Sequence, residues 1–177
     1  MRPGRRQFLV LGGGALAAIS APTILRAKGV ALIEMKGTSR GEDVWFTPLG
    51  LAVDPGTTVR FVNRDPGNSH TATAYHPQNF DRQLRIPDTA APWDSDYLMP
   101  DEGFEVLLSV PGVYDYYCQP HEQAGMVGRV VVGRPDRDVG WQGAAGPSDD
   151  LPEVALAAFP PADEILTQGQ VLPKGVR

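Results

Sequence analysis

Along the middle of the chain, apolar and polar positions alternate with a period of two, the signature of half-buried strands. Val30 to Met35 reads as a first short strand, and Val44-Trp45-Phe46 opens a second that Pro48 interrupts. Leu49, Leu51 and Val53 alternate with smaller or polar residues, Asp54-Pro55-Gly56 makes a tight turn, and Val59, Phe61 and Asn63 continue beyond it. That pattern predicts a β-hairpin. A short strand is expected over Thr71 to Tyr75. Alternation returns with Phe104, Val106, Leu108 and Val110; Pro111-Gly112 then turns the chain into Val113 to Cys118, and Val127 to Val132 reads as a further strand. In the strand that ends at the cysteine, Tyr114, Tyr116 and Cys118 share one face while Tyr117 takes the other.

Three segments break the rhythm. The chain opens with Gly4-Arg5-Arg6-Gln7-Phe8-Leu9, and an apolar, glycine-rich run from Leu9 to Leu25 precedes the first acidic residue, Glu34. This reads as a twin-arginine export signal over residues 1–27, with cleavage after Ala21 or Ala27, or as a membrane anchor if it stays uncut. From Pro77 to Gly103 prolines interrupt any long element, and Arg82, Arg85, Asp88, Asp94, Asp96, Asp101 and Glu102 keep the segment wet. It is expected as a long surface loop with room for one helical turn, which either shapes a docking face or covers a sheet edge. The tail after Gly133 is linker-like up to Asp150. Asp150-Leu151-Pro152-Glu153 then offers a capping box for a short helix through Ala158, and Pro160-Pro161 starts another that Gly169 ends. Leu151, Val154, Ile165 and Leu166 would pack on the barrel or on a partner.

The chemistry concentrates in Tyr116-Tyr117-Cys118-Gln119-Pro120-His121-Glu122-Gln123-Ala124-Gly125-Met126, which holds the chain's only cysteine. Between positions 118 and 126 the loop offers a thiolate, an imidazole and a thioether, a soft mixed set that suits copper better than zinc, magnesium or calcium. Two histidines, one thiolate and a weak axial methionine make a blue-copper electron-transfer site, so one more histidine is needed. His70 and His76 are both upstream. Six residues of extended chain separate them by roughly 20 Å at about 3.3 Å per residue, so both cannot reach one ion.

The run C-x-P-H-x-x-A-G-M followed by V-G-x-V-V-V resembles the copper loop of plastocyanin and its bacterial relatives in the cupredoxin family. The earlier F-x-P-x-x-L-x-V-x-x-G-x-x-V-x-F-x-N is similar to that family's opening strands. The likeness covers about the central hundred residues. It implies that the second imidazole is His70, in Asn68-Ser69-His70-Thr71, and that His70, Cys118, His121 and Met126 hold one copper ion cycling between Cu(I) and Cu(II). His76 is then a solvated residue at a strand end. Where many cupredoxins carry an asparagine after this histidine, the present chain has Thr71, whose single hydroxyl can make only part of the usual tie between the two ligand loops. The resemblance also places Tyr117 at the surface beside the copper cysteine.

Charge narrows the function further. The formal net charge is −5, and loss of residues 1–27 would remove four arginines and no acids, leaving −9. A chain so acidic is not expected to bind nucleic acid, whose phosphates select basic surfaces, but suits docking on a basic redox protein. An unpaired cysteine in an exported protein is either reactive or bound, and a copper thiolate is shielded from oxidation. The expected architecture is therefore all-β, a Greek-key β-sandwich or barrel of the cupredoxin kind, with a long surface loop and a C-terminal extension containing short helices. The expected organisation is a signal at 1–27, a copper domain at 28–133 and an extension at 134–177. The expected function is periplasmic one-electron transfer by a monomer between a redox donor and acceptor, one of which can be a membrane-bound complex. No substrate pocket or second copper cluster is recognisable, so an enzyme is not expected. The alternatives are copper storage or delivery, and a small copper enzyme with an open coordination position.

Overall fold

A computed structural model describes residues 28–174, Ser39 and Glu42 apart. The proposed export signal lies outside the described residues. Two sheets face each other. The first is ordered β2-β1-β4-β6, from β1 (Lys28–Gly37), β2 (Val44–Thr47), β4 (Thr57–Asn63) and β6 (Gly103–Leu108). The second is ordered β5-β7-β8-β3-β9, from β3 (Gly50–Val53), β5 (Thr73–Ala74), β7 (Gly112–Tyr117), β8 (Val127–Val132) and β9 (Gln170–Val171). Neighbours run antiparallel except β1 with β4 and β3 with β8, which are parallel, so the chain crosses repeatedly between sheets. This is the cupredoxin β-sandwich that the alternation and the resemblance led us to expect.

The expected hairpin across Asp54-Pro55-Gly56 does not form. β3 pairs with β8 and β9, whereas β4 pairs with β1 and β6, so this turn carries the chain from one sheet to the other. Alternation specifies a half-buried strand but not its partner. Here the inward residues of both strands, Val53 and Leu51 on one side and Val59 and Phe61 on the other, meet across the core instead of along a ladder.

The main core lies between the sheets, where Phe46, Phe61, Trp93 and Tyr116 interlock edge-on and stacked with Ile33, Met35, Val59 and Val130. Cys118 and Met126 belong to the same cluster. The second sheet is also covered on its outer side, and every residue of β7 and β8 is buried. The tail supplies that cover. Helix α1 (Glu153–Ala158) and Leu151, two residues ahead of it, put Ala155 and Leu151 on Tyr75, Tyr117 and Val127, and α2 (Ala162–Gln168) puts Ile165 on Val113 and Val131. β9 then joins the edge of β3. Of the four apolar tail residues named from the sequence, Leu151 and Ile165 are buried, Leu166 is partly so, and Val154 stays half-exposed. The expected capping box is not made: α1 starts at Pro152 with no side-chain cap, because the Asp150 carboxylate accepts from Arg82 Nε at 3.0 Å and from the Gln83 N–H at 2.8 Å instead.

Segment 77–103 is likewise more buried than its charges suggest. Ile86, Ala90, Trp93 and Leu98 reach the main core, and Arg85, expected in solvent, is 4% exposed. Arg85 Nε donates to Asp115 at 3.0 Å, and Arg129 Nε donates to the other oxygen of the same carboxylate at 2.6 Å. Two guanidinium groups around one buried carboxylate satisfy the rule that interior charge must be paired.

Candidate metal centre

The site sits at the end of the sandwich where two connections meet. The first runs from β4 to His70. Asn63 is fully buried and its Nδ2 donates to the carbonyls of Asn68 at 2.8 Å and Leu98 at 2.9 Å, which draws the Asp65-Pro66-Gly67-Asn68 turn against the 77–103 segment. His70 and Leu98 then exchange backbone hydrogen bonds of 3.1 and 2.8 Å, so the histidine is held on both sides of its own peptide.

The second connection joins β7 to β8. Cys118 follows the last residue of β7, Pro120 opens a 3-10 turn over Gln119–Ala124, and Gly125 ends it with φ of 79°, a left-handed conformation that favours glycine. The turn folds Met126 back beside its start: its N–H donates to the His121 carbonyl at 3.1 Å, and the Cys118 N–H donates to the Met126 carbonyl at 3.0 Å. Met126 has no exposed surface.

These connections bring His70, Cys118 and His121 together, with one donor atom from each lying within 4.8 Å of the others. His70 Nδ1 is 3.1 Å from His121 Nδ1; Cys118 Sγ is 3.6 Å from the former and 3.3 Å from the latter. His70 and Cys118 are fully buried, whereas His121 keeps an edge at the surface. His76 is not among them. Its Nδ1 accepts the Gln78 N–H at 3.1 Å.

The donor chemistry fits a soft metal ion. His70 Nε2 lies 3.0 Å from Asp65 Oδ2, and a carboxylate there holds the proton on Nε2, which leaves the Nδ1 lone pair facing Cys118 and His121. Burial lowers the pKa of His70 below 6.5 against the opposing pull of Asp65, and burial together with the His70 charge lowers that of His121. Both rings are thus neutral donors at pH 7. Burial pushes the Cys118 thiol up to about 11, although hydrogen bonds from Thr71 and His121 pull it down. Two neutral imidazoles and a shielded sulfur in mutual contact are three of the four donors of the type 1 copper ligand set.

Thr71 ties the two connections more completely than one hydroxyl suggested. Its N–H donates to Cys118 Sγ at 3.3 Å, its Oγ1 accepts the Gln119 N–H at 2.9 Å, and it contacts Thr73 Oγ1 at 2.9 Å. The Gln119 side chain bridges onward to Thr73 and Asp94.

Tyr117 takes the face opposite Cys118 as expected, but it is buried and not at the surface. It stacks on Tyr75 with centroids 4.4 Å apart under Arg82, whose guanidinium carbon is 5.0 Å from its ring centre, and α1 closes over it. Arg82 also makes two bonds to Glu122, of 2.9 and 2.6 Å. Asp65, Glu122 and Arg82 are the site's neighbours that the sequence did not single out. The Asp-Pro-Gly-Asn turn just ahead of His70 was the available signal for the first. A cleft of about 520 Å³ opens beside the metal loop at Ala124 and Gly125, walled by Trp45, Leu49, Phe159 and Leu172, but neither histidine nor the cysteine lines it.

Comparison with known proteins finds copper binding proteins. The family model described as copper binding proteins, plastocyanin/azurin family, matches residues 33–133. A chloroplastic plastocyanin of Oryza sativa subsp. indica is 35% identical over 144 residues, covering 73% of this chain and 88% of its own. A plastocyanin of Prochlorothrix hollandica is 32% identical over 130 residues, covering 71% and 87%. Among solved structures, a pseudoazurin from Sinorhizobium shares 33% identity and a TM-score of 0.48 over 61% of this chain and 76% of that one. With its His-Cys-His cluster suited to one type 1 copper ion, the chain belongs to the plastocyanin/azurin family of copper binding proteins.

Proposed function

We propose that the chain is a periplasmic one-electron carrier in which His70, Cys118 and His121 hold copper and Met126 supplies the weak axial thioether. The observation that carries this reading is the convergence of two imidazole Nδ1 atoms and one sulfur within 4.8 Å in a buried pocket. When bound, copper supplies a Cu(I)/Cu(II) couple. The protein's part is to hold its donors still: Thr71 fixes the sulfur, Asp65 fixes His70, and Glu122 is clamped beside His121. Donors locked by their neighbours keep the same arrangement in both oxidation states.

His121 is the port for electrons. It alone of the three keeps an exposed edge, and Pro120 and Ala124 beside it are exposed and uncharged, so a partner can approach without desolvating a charge. The Tyr117 side is closed by Arg82 and the tail. The partners are a redox donor and acceptor, basic at the surface that docks, and the arginine pair Arg5-Arg6 supports export by the twin-arginine route.

A redox titration of the copper-loaded protein tests the function. One ion per chain, a reversible couple with a single electron and no consumption of a small-molecule substrate are expected. Multiple ions, or an ion that leaves on reduction and passes to a chelating acceptor, would point to storage or delivery instead.

A further inference from the structure

On the side of His70 away from Cys118 lies a carboxylate with no exposed surface. Asp65 Oδ2 is 3.0 Å from His70 Nε2 and also accepts from Asn68 Nδ2 at 2.8 Å, while Oδ1 accepts the Gly67 N–H at 2.8 Å. Its own N–H donates to Asn63 Oδ1 at 2.8 Å. Space for the group is provided by Gly37 at the end of β1, where a Cβ would fall on the carboxylate itself. Among the described residues, the one ring or cationic group that meets it within 4.0 Å is His70, whose imidazole is neutral at pH 7, so the contact is a hydrogen bond from Nε2–H and not an ion pair.

The turn closes through Oδ1 onto the Gly67 N–H, a bond an asparagine oxygen would also accept, and Oδ2 adds the bond from Asn68. The second oxygen also does something the turn does not require. It places a negative charge, balanced by no lysine or arginine among the described residues, at the far edge of a buried imidazole whose other nitrogen faces the sulfur. In a low-dielectric interior such a charge acts strongly on its neighbours.

We propose that Asp65 is a positioning residue that sets the redox balance of the site: it fixes the Nε2–H tautomer of His70 and favours the oxidised, more positive state of the metal. The inference rests on the copper reading above. A carboxylate makes the imidazole a stronger donor, and its charge stabilises Cu(II) over Cu(I), so the carrier gives up its electron more readily than it would with a neutral group at this position.

Asp65→Asn keeps the size of the side chain and the bond to Gly67, removes the charge, and puts an amide NH2 in place of the oxygen that accepts from His70 Nε2 and Asn68 Nδ2. In the copper-loaded full chain, spectroelectrochemistry should show the variant still blue, with its equilibrium moved at least tenfold toward Cu(I), about 59 mV for one electron. Gly37→Ala, which pushes the carboxylate aside, should move it in the same direction. A purely structural role would lower copper occupancy or thermal stability and leave the potential where it was. An unchanged potential in a blue Asp65→Asn protein overturns the proposal, and if that variant does not fold, an unchanged potential in Gly37→Ala does so. In the reduced wild-type protein, ¹⁵N NMR should find a slowly exchanging Nε2 proton on His70, and a proton on neither nitrogen or on Nδ1 also overturns it. A wild-type chain that never turns blue would sink the copper reading itself, a result distinct from a blue protein with an unmoved potential.

Discussion

Tyr75 donates a 2.6 Å hydrogen bond to Glu122, the residue that follows His121 in the metal loop. Arg82 grips the same carboxylate with two bonds and reaches Asp150 of the tail with a third, so loop, excursion and tail are joined through one buried charge. Burial and the Glu122 hydrogen bond raise the Tyr75 pKa, keeping the hydroxyl a donor throughout the physiological range.

Removing the cation should therefore be costly. Arg82→Met leaves Glu122, whose side chain is 8% exposed, without its charge partner, and is expected to destabilise the protein by about 3 kcal/mol. Asp150→Asn acts on a group 40% exposed and should cost less than about 1 kcal/mol. Urea unfolding of both variants measures the two losses, and equal losses would refute the buried clamp.

The tail should behave as part of the fold. Ile165 is fully buried against the second sheet, so Ile165→Ala should cost about 2–5 kcal/mol. A Cβ at Gly50 would come within 2.6 Å of Ile165 Cγ1, so Gly50→Ala should destabilise too. Because the small side chain in one variant makes room for the larger one in the other, the double variant should lose less than the sum, as a double-mutant cycle would show.

Why the tail looked separate, and the metal loop did not, follows from where the information lies. Cys118, His121 and Met126 sit within one turn between two strands, so their chemistry was legible from spacing alone, and His70 followed from the family likeness. Asp115 and Arg129 occupy alternate positions that read as solvent-facing, yet their side of the sheet is covered by Pro160 and its neighbours. A charged residue on a strand marks an exposed face unless another segment brings its counter-charge, and Arg85 comes from 30 residues away. The same coverage hid the burial of Tyr117. For β3 and β4, alternation gave each strand's inward side but could not say that the turn between them changes sheet.

Acid should weaken the metal-free protein. His70 and His121 both have folded-state pKa values depressed from the ordinary 6.5, so the folded state favours the neutral rings. As pH falls below about 6.5 the unfolded chain takes up more protons than the folded one, and stability fully present above that value is progressively lost. Asp65, lowered from 3.8 by its hydrogen bonds against the opposing effect of burial, extends the loss to lower pH. The urea midpoint of the metal-free chain should fall between about pH 7 and 5. A midpoint that rises on acidification over that range would contradict the assignment of two neutral imidazoles, one buried and one at the surface.

Electron exchange should be sensitive to charge at the port. Ala124 is exposed three residues beyond His121, and Ala124→Glu should slow reduction by a protein partner while leaving the visible spectrum unchanged. Charge further away should act through steering. Neutralising Asp94, Asp96, Asp101 and Glu102 should chiefly flatten the dependence of the association rate on salt, since their reach is limited to a Debye length of about 8 Å. Stopped-flow reduction at several ionic strengths separates the effects, and an unaltered rate for Ala124→Glu at every salt concentration would remove His121 as the port.

The most direct measurement is an anaerobic Cu(II) titration of the metal-free protein followed by visible absorption and proton release. At pH 7 the Cys118 thiol, with its pKa near 11, holds its proton, so binding should release about one proton per chain as the thiolate forms. An intense blue thiolate-to-copper band should saturate at one equivalent. Cys118→Ser should show no such band, His70→Ala should lose or deform it, and His76→Ala should leave it unchanged. A blue Cys118→Ser protein, or a His76→Ala variant that loses the band while His70→Ala keeps it, would contradict the site at its centre.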